Sequence, residues 1–284
     1  MLKKPEWLKV VYREDTTEEV RKLVEGLSLH TVCVEASCPN LGECYSSRTA
    51  TFMIMGSRCT RNCGFCDVTT AKPFPLDRAE AEQVAEAAAK LGLRHVVITQ
   101  VTRDDLPDGG AGHMAETIRA VRRALPESTI EVLVSDMQGT REAIDQVLTA
   151  EPDVFGHNIE MPEELYPVAR QQADYQRSLD VLTYAKEQRP DMLTKTGFML
   201  GLGETDDQID RLLDDLVKTG VDILTIGQYL QPSSDHVELK RYVSPDEFSA
   251  YAERAKKKGI ACTLSSPFVR SSYKAAEAVK QLKG

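Results

Sequence analysis

The chain has 284 residues, 42% hydrophobic and 28% charged, which is the size and balance of one large α/β domain. Its formal charge of −9 argues against nucleic acid or anionic membrane as the main partner, and no apolar run approaches a membrane span. Six of the seven cysteines fall between positions 33 and 66, and Met1-Leu2-Lys3-Lys4-Pro5-Glu6 has no signal-peptide pattern. The expectation is a cytoplasmic protein whose clustered thiols serve metal or catalysis rather than disulfides.

In chain order, Val20, Leu23, Val24 and Leu27 recur at helical spacing after Thr17-Glu18-Glu19 and predict one helix packed on the main domain, with Trp7 as a pin for this extension. Cys33, Cys38 and Cys44 follow as C-x₄-C-x₅-C, with Pro39, Asn40 and Gly42 predicting a loop. These thiols are too evenly spread for a zinc finger. They fit an iron–sulfur cluster whose fourth ligand comes from elsewhere in the chain or from substrate; a zinc site is the alternative.

A buried strand, Thr51-Phe52-Met53-Ile54-Met55, leads into Cys59, Cys63 and Cys66, spaced C-x₃-C-x₂-C. Three thiolates are one fewer than the irons of a cubane cluster, and an open metal position is the mark of a catalytic site. Zinc with a distant ligand is again the alternative, although C-x₃-C suits a zinc knuckle poorly. Arg58 and Arg61 bracket the loop and are expected to offset the charge of a reduced cluster.

Beyond residue 50, strands are predicted at Thr51–Met55, His95–Val101, Thr129–Ser135, Val154–Ile159, Leu193–Leu200 and Ile223–Tyr229. Helices are predicted between them at Ala79–Leu91, Met114–Ala124, Glu142–Ala150, Arg177–Gln188 and Asp206–Lys218. Six βα repeats predict a partial (β/α)6 barrel, α/β with a parallel sheet and right-handed crossovers, and a weaker run near Ile260–Leu264 adds a closing element. Chemistry in such folds gathers where strands end. The polar residues obey that rule: Thr102–Gly110, Asp136, His157–Glu160, Lys195, Gly197–Glu204 and Gln228–Pro232. The five histidines have no metal-like spacing and read as structural, His157 and His236 being rim candidates. Cys262 reads as a buried, inert thiol, and Lys256-Lys257-Lys258 as the solvated end of a helix before Gly259.

With Phe65 before its last cysteine, C-x₃-C-x₂-C resembles the signature of the radical S-adenosylmethionine (SAM) superfamily. The C-x₄-C-x₅-C segment together with Arg270-Ser271-Ser272-Tyr273-Lys274-Ala275 narrows the resemblance to the lipoyl synthase family. The likeness runs nearly end to end, through Ala36-Ser37-Cys38-Pro39-Asn40, Thr49-Ala50-Thr51-Phe52-Met53-Ile54-Met55-Gly56, Asp174-Tyr175-Gln176-Arg177-Ser178 and Arg241-Tyr242-Val243.

The resemblance implies a sulfurtransferase that converts protein-bound octanoyl-lysine into lipoyl-lysine by inserting sulfur at carbons six and eight. It implies two 4Fe–4S clusters and two SAM molecules per product, cleaved reductively to a 5′-deoxyadenosyl radical. Cys59, Cys63 and Cys66 would hold the cluster that binds SAM. Cys33, Cys38 and Cys44 would hold a second cluster that is consumed as sulfur donor, with Ser271, or next Ser272, as its fourth ligand. Contacts to SAM are carried to Phe65, Thr99, Asn158, Glu160, Arg170, Lys195, Gly197, Met199 and Tyr229. On this reading residues 1–48 are an extension with the auxiliary motif, 49–259 the barrel and 260–284 the segment bearing the serine ligand. Implied partners are octanoylated lipoyl carrier proteins (the glycine cleavage H protein and 2-oxoacid dehydrogenase lipoyl domains) and a ferredoxin or flavodoxin-type reductant, with no nucleic acid and no membrane. Gln100 and Thr102 stand where the family pattern has serine and aspartate, and Val34 and Tyr45 where it commonly has glutamate and tryptophan. Rival readings are another sulfur-inserting enzyme, acting on a free metabolite or RNA, and a zinc-stabilised scaffold without catalysis.

Overall fold

The computed structural model describes residues 3–8, 17–46 and 50–283. The expected boundary at residues 48 and 49 lies outside the described residues, as do Met1, Leu2 and Thr49. Among the described residues there are eight strands. Backbone contacts group the chain into two compact units, one of residues 10–61 and 67–155, the other of residues 1–9, 62–66 and 156–284.

In the first unit, α1 (Thr17–Gly26) buries Val20 and Val24, as its spacing predicts. Strand β1 (His30–Thr31) pairs antiparallel with β2 (Thr51–Ile54), and α2 (Val32–Glu35) and α3 (Leu41–Ser46) lie between them in the chain. The loop expected over Cys33–Cys44 is therefore corrected to two short helices joined by a turn. The reason is positional: the carbonyl of Asn40 accepts the first helical bond of α3, from Cys44 N at 2.9 Å, so Pro39-Asn40 is a helix start. Tyr45 ends this segment with its hydroxyl 2.8 Å from Thr31 Oγ1.

Strand β2 is buried along its length and pairs parallel with β3 (His95–Gln100), which follows α4 (Glu80–Leu91). Helix α5 (Ala111–Ala124) packs on α4 through small residues, Ala81, Ala85, Ala88 and Ala115 all being buried. Next come β4 (Thr129–Leu133), parallel to β3, then α6 (Arg141–Leu148) and β5 (Val154–Gly156). The strand expected to run to Ile159 stops at Gly156. Beyond it Glu160 takes a left-handed φ of +69° and keeps only an isolated bridge to Phe198.

The second unit continues with α7 (Tyr166–Ala169), α8 (Tyr175–Gln188), β6 (Leu193–Leu200), α9 (Asp206–Thr219), β7 (Ile223–Gln228), α10 (Pro245–Lys258), β8 (Cys262–Ser265) and α11 (Ala275–Lys283). Strands β6, β7 and β8 pair in parallel, so the weak run near Ile260–Leu264 is a true strand. Capping boxes at Thr205/Gln208 and Ser244/Glu247 start α9 and α10 and satisfy helix-end donors. Leu212, Leu213 and Leu216 of α9 pack with Leu224, Ile226 and Phe248 in one apolar core. Trp7 meets Tyr242 edge-on at 6.5 Å, the pin expected of it.

A Cβ on Gly227 would lie 2.1 Å from Val269 O, a backbone atom that cannot swing aside. Gly227→Ala is expected to lower stability by more than about 2 kcal/mol, whereas Gly26→Ala, with open space around it, stays within about 1 kcal/mol. Thermal unfolding of the two variants checks the difference.

Candidate functional site

In the first unit Cys33 lies on α2, Cys38 in the following turn and Cys44 on α3. The turn is closed by Cys38 N donating to Cys33 O at 3.1 Å. Burial pushes the Cys33 thiol up to about 11, and the neighbouring Cys38 adds to the rise. Burial pushes Cys44 up to about 12, with Cys33 and Cys38 raising it further. Cys33 and Cys44 are thus poorly solvated thiols with Cys38 beside them, a setting that suits a thiolate-bound metal centre. Among the described residues no three Cys, His, Asp or Glu side chains sit at the geometry of a single-ion site. A four-iron cluster places each thiolate on a different iron and spreads its ligands wider than one ion does. Beside Cys38, Ser37 donates its hydroxyl to the Asp67 carboxylate.

Cys59 is tied by Cys59 N to Thr69 O at 2.9 Å and by Ala71 N to Cys59 O at 3.2 Å. Arg61 N donates to Cys59 Sγ at 3.4 Å. The Arg61 guanidinium is only 5% exposed and makes two bidentate pairs, with Asp104 at 2.7 and 2.8 Å and with Asp136 at 2.7 and 2.9 Å. This corrects the expectation that Arg61 offsets cluster charge: two carboxylates already outweigh its single positive charge, and its work is to fix the loop. Arg58 instead stacks over Phe74, 4.0 Å from the ring centroid. Asp105 pairs with Arg103, whose hydrogen bonds hold its carboxyl below the usual range. Thr99 donates its hydroxyl to Leu133 O at 3.1 Å, and Gln100 reaches Ser135 Oγ at 3.0 Å.

In the second unit Cys63 and Cys66 share a turn, Cys66 N donating to Cys63 O at 3.0 Å. Gly64 between them is held on both sides, its N–H by Ala169 O and its carbonyl by Val237 N, each at 2.8 Å. A Cβ there would sit 2.7 Å from Val237 Cγ2, so a residue without a side chain fits best. His236 Nε2 donates to Cys66 O at 3.1 Å while Nδ1 faces Ser233 Oγ at 2.9 Å, and Gln172 accepts from Asn62 N at 2.6 Å. Phe65 and Met199 pack against the apolar core of this unit.

Arg170 is buried among Tyr166 OH at 2.9 Å, Asn158 O at 3.2 Å and Ser178 Oγ at 3.3 Å. Its charge also acts on Cys63 and Glu160. Burial pushes the Glu160 carboxyl up, against Arg170 and a hydrogen bond from Asn158. Asn158 Nδ2 donates to Ser271 Oγ at 2.6 Å. A Cβ on Gly197 would meet Thr225 Oγ1 at 2.3 Å, so the glycine lets that hydroxyl pack directly against β6. Lys195 is buried, and its charge opposes the rise that burial gives the Cys262 thiol. Gly201-Leu202-Gly203 is a turn closed by the Glu204 carboxylate, which accepts from Gly201 N at 2.7 Å and Leu202 N at 2.8 Å. Tyr229 is buried, donates to Val237 O at 2.7 Å, and is pushed up to about 12 by burial.

Each unit therefore brings part of the expected set together: Cys33, Cys38 and Cys44 in one, Cys63, Asn158, Glu160, Arg170 and Ser271 in the other. Sequence reading did not give Tyr166, Ser178, Gln172 or His236 their present work. For Ser178 a signal existed, since it closes the Asp174–Ser178 motif, in which Asp174 caps α8 by accepting from Arg177 N at 2.7 Å.

Residues 53–216 match the Radical SAM superfamily profile. The chain is 54% identical over 275 residues to a lipoyl synthase of Rubrobacter xylanophilus, covering 96% of this chain and 86% of that protein. It is 50% identical over 284 residues to one from Bacillus velezensis, covering 99% and 95%. In fold it is similar to HydG, a maturase of the [FeFe]-hydrogenase, with a TM-score of 0.60 at 15% identity over 94% of this chain and 67% of that one. Streptococcus suis SuiB gives a TM-score of 0.58 at 11% identity over 92% and 58%.

Arg61→Ala strands Asp136, which is fully buried, and is expected to cost about 3–5 kcal/mol. Arg61→Lys keeps the charge, loses the fork and recovers part of that stability. Chemical denaturation of the two variants tests whether the clamp or the charge matters.

Proposed function

We infer the roles of individual residues from one fact: the chain belongs to the lipoyl synthase family of the radical SAM superfamily. Its reaction is the insertion of two sulfur atoms into a protein-bound octanoyl chain, with 4Fe–4S clusters and SAM. The carbons attacked bear unactivated C–H bonds that no side-chain base can deprotonate. When bound, the first cluster and SAM supply a carbon radical strong enough to abstract those hydrogens.

Cys59, Cys63 and Cys66 are the residues that would hold the first cluster. Gly64, pinned between Ala169 O and Val237 N, and Arg61, clamped by Asp104 and Asp136, keep the loop from rearranging. Gly197, Asn158, Glu160, Arg170 and Met199 are the proposed contacts to the adenosine and methionyl parts of SAM; Phe65, Thr99, Lys195 and Tyr229 complete the proposed set. Cys33, Cys38 and Cys44, with Ser271, would hold the second cluster, which is substrate rather than resident cofactor because its sulfide ends in the product. Residues 1–48, 49–259 and 260–284 thereby divide the work into auxiliary motif, radical domain and serine-bearing segment. The observation that carries the reading is a second thiol trio, Cys33 on α2, Cys38 in the turn and Cys44 on α3, separate in sequence from Cys59–Cys66.

The macromolecular substrates are lipoyl carrier proteins. The glycine cleavage H protein and 2-oxoacid dehydrogenase lipoyl domains are the proposed carriers, a ferredoxin or flavodoxin the proposed reductant, and the cytoplasm the proposed setting. Among the described residues no helix is long and apolar enough to cross a membrane.

Anaerobically reconstituted protein should hold about eight irons. The Cys33→Ala/Cys38→Ala/Cys44→Ala variant should hold about four, still cleave SAM, and leave an octanoylated lipoyl-domain peptide unthiolated by mass spectrometry. Dithiolated product from that variant would remove the second cluster from the account.

A further inference from the structure

Strand β2 ends at Ile54, the last of its residues paired with β3, and the next N–H, that of Met55, leaves the sheet ladder. Met55 is buried, so this donor needs an acceptor. It finds one in Glu80, the first residue of α4, whose Oε2 lies 2.8 Å from Met55 N. The same oxygen accepts from His113 Nε2 of α5 at 2.6 Å; a carboxylate only accepts, so the ring carries its hydrogen on that nitrogen. Both side chains are buried, Glu80 at 6% and His113 at 7% exposure.

The donor sits in a conformation that methionine avoids. Met55 has φ +70° and Gly56 φ +84°, two left-handed residues in succession, and such backbone persists where its surroundings over-determine it. Two contacts do so here. The Glu80 carboxylate holds the Met55 N–H, and Gly110, at the start of α5, leaves room for the thioether, since a Cβ there would collide with Met55 Sδ and Cε. Gly110 is fixed in turn by Asp108, which accepts from Gly110 N at 3.0 Å and from Gly112 N at 2.8 Å. Only Gly56-Ser57-Arg58 separate the turn from Cys59. Beyond them Cys59 bridges to Thr70, and Thr60 N donates to Thr102 O at 3.0 Å. Without the carboxylate the left-handed turn would bury an unpaired N–H, and an extended Met55 that prolongs β2 becomes the lower-energy path. That path redirects the chain entering Cys59.

We propose that Glu80, oriented by His113, is a positioning residue for Cys59: its carboxylate selects the turn at Met55 over continuation of β2 and so sets where the cysteine loop begins. The role rests on the reading of Cys59 as a ligand of the first cluster. Every group in it, from Glu80 to Cys59, belongs to the first unit. The carboxylate stands at the N-terminus of α4, where negative charge is favoured, and His113 ties it to α5. A buried pair between two helices thereby governs a thiol four residues along the chain from the N–H it holds.

The test uses the anaerobically reconstituted holoenzyme. Hydrogen exchange read by mass spectrometry reports on the Met55 amide. Loss of each cluster to an iron chelator is followed by electron paramagnetic resonance of the reduced protein with SAM, which shifts the signal of the first cluster and leaves the second as internal reference. Glu80→Ala should speed Met55 exchange and first-cluster loss about tenfold, the scale of one hydrogen bond to a charged group, while second-cluster loss keeps its wild-type rate. Glu80→Gln keeps the shape and an acceptor without the charge, and should speed both about threefold, a neutral bond being roughly half as strong; it decides the question alone where the alanine variant fails to fold. First-cluster loss at the wild-type rate in the folded variants, or equal acceleration of both clusters, would overturn the positioning role and leave the ligand reading standing. Cys59→Ala is the control for that reading: a first cluster that survives this substitution at the wild-type rate would overturn the ligand assignment, and the role of Glu80 with it.

Discussion

Three thiolates cannot saturate four irons, and this arithmetic constrains everything else in the chain. It applies twice, at Cys33/Cys38/Cys44 and at Cys59/Cys63/Cys66. Each trio needs a fourth partner that is not cysteine, and the two partners differ in kind. On the reading proposed above, one is a small molecule that must bind, react and leave, and the other is a hydroxyl of the chain itself, a hard oxygen poorly matched to an iron–sulfur centre. A weak match suits a cluster that has to be dismantled.

The surroundings of the two trios differ accordingly. Around Cys59–Cys66 the loop is fixed through backbone and through one arginine: Gly64 is bonded on both faces, Cys66 O is held by His236, and Arg61 bridges two carboxylates. That is how a site expected to survive many turnovers is built. The Cys33–Cys44 segment has two short helices and a turn containing Ser37 at φ +47°. Burial raises the Cys33 and Cys44 thiols, and the neighbouring thiols add to the rise.

Much of the fold was legible because buried parallel strands read as uninterrupted apolar runs. Thr51–Ile54, His95–Gln100, Leu193–Leu200 and Ile223–Gln228 fall where those runs predict them. The two-residue β1 was not legible, since nothing periodic marks so short a strand. Helix α3 was hidden because Pro39-Asn40 signals a helix start and a loop equally well. Among the candidate site residues, the cysteines were marked by spacing and Ser271 by resemblance. Arg61 was misread because sequence gives charge without partners: Asp104 and Asp136 lie 43 and 75 residues away. The Asn158–Ser271 bond spans 113 residues and could not be read from spacing.

The central claim is that one cluster is spent as reagent while the other is kept. Clusters rebuilt with sulfide of a heavy sulfur isotope, followed by a single turnover with octanoylated lipoyl domain and unlabelled solution, test it most directly. The account requires both sulfurs of the lipoyl product to carry the label in the mass spectrum. A product containing only unlabelled sulfur would contradict it.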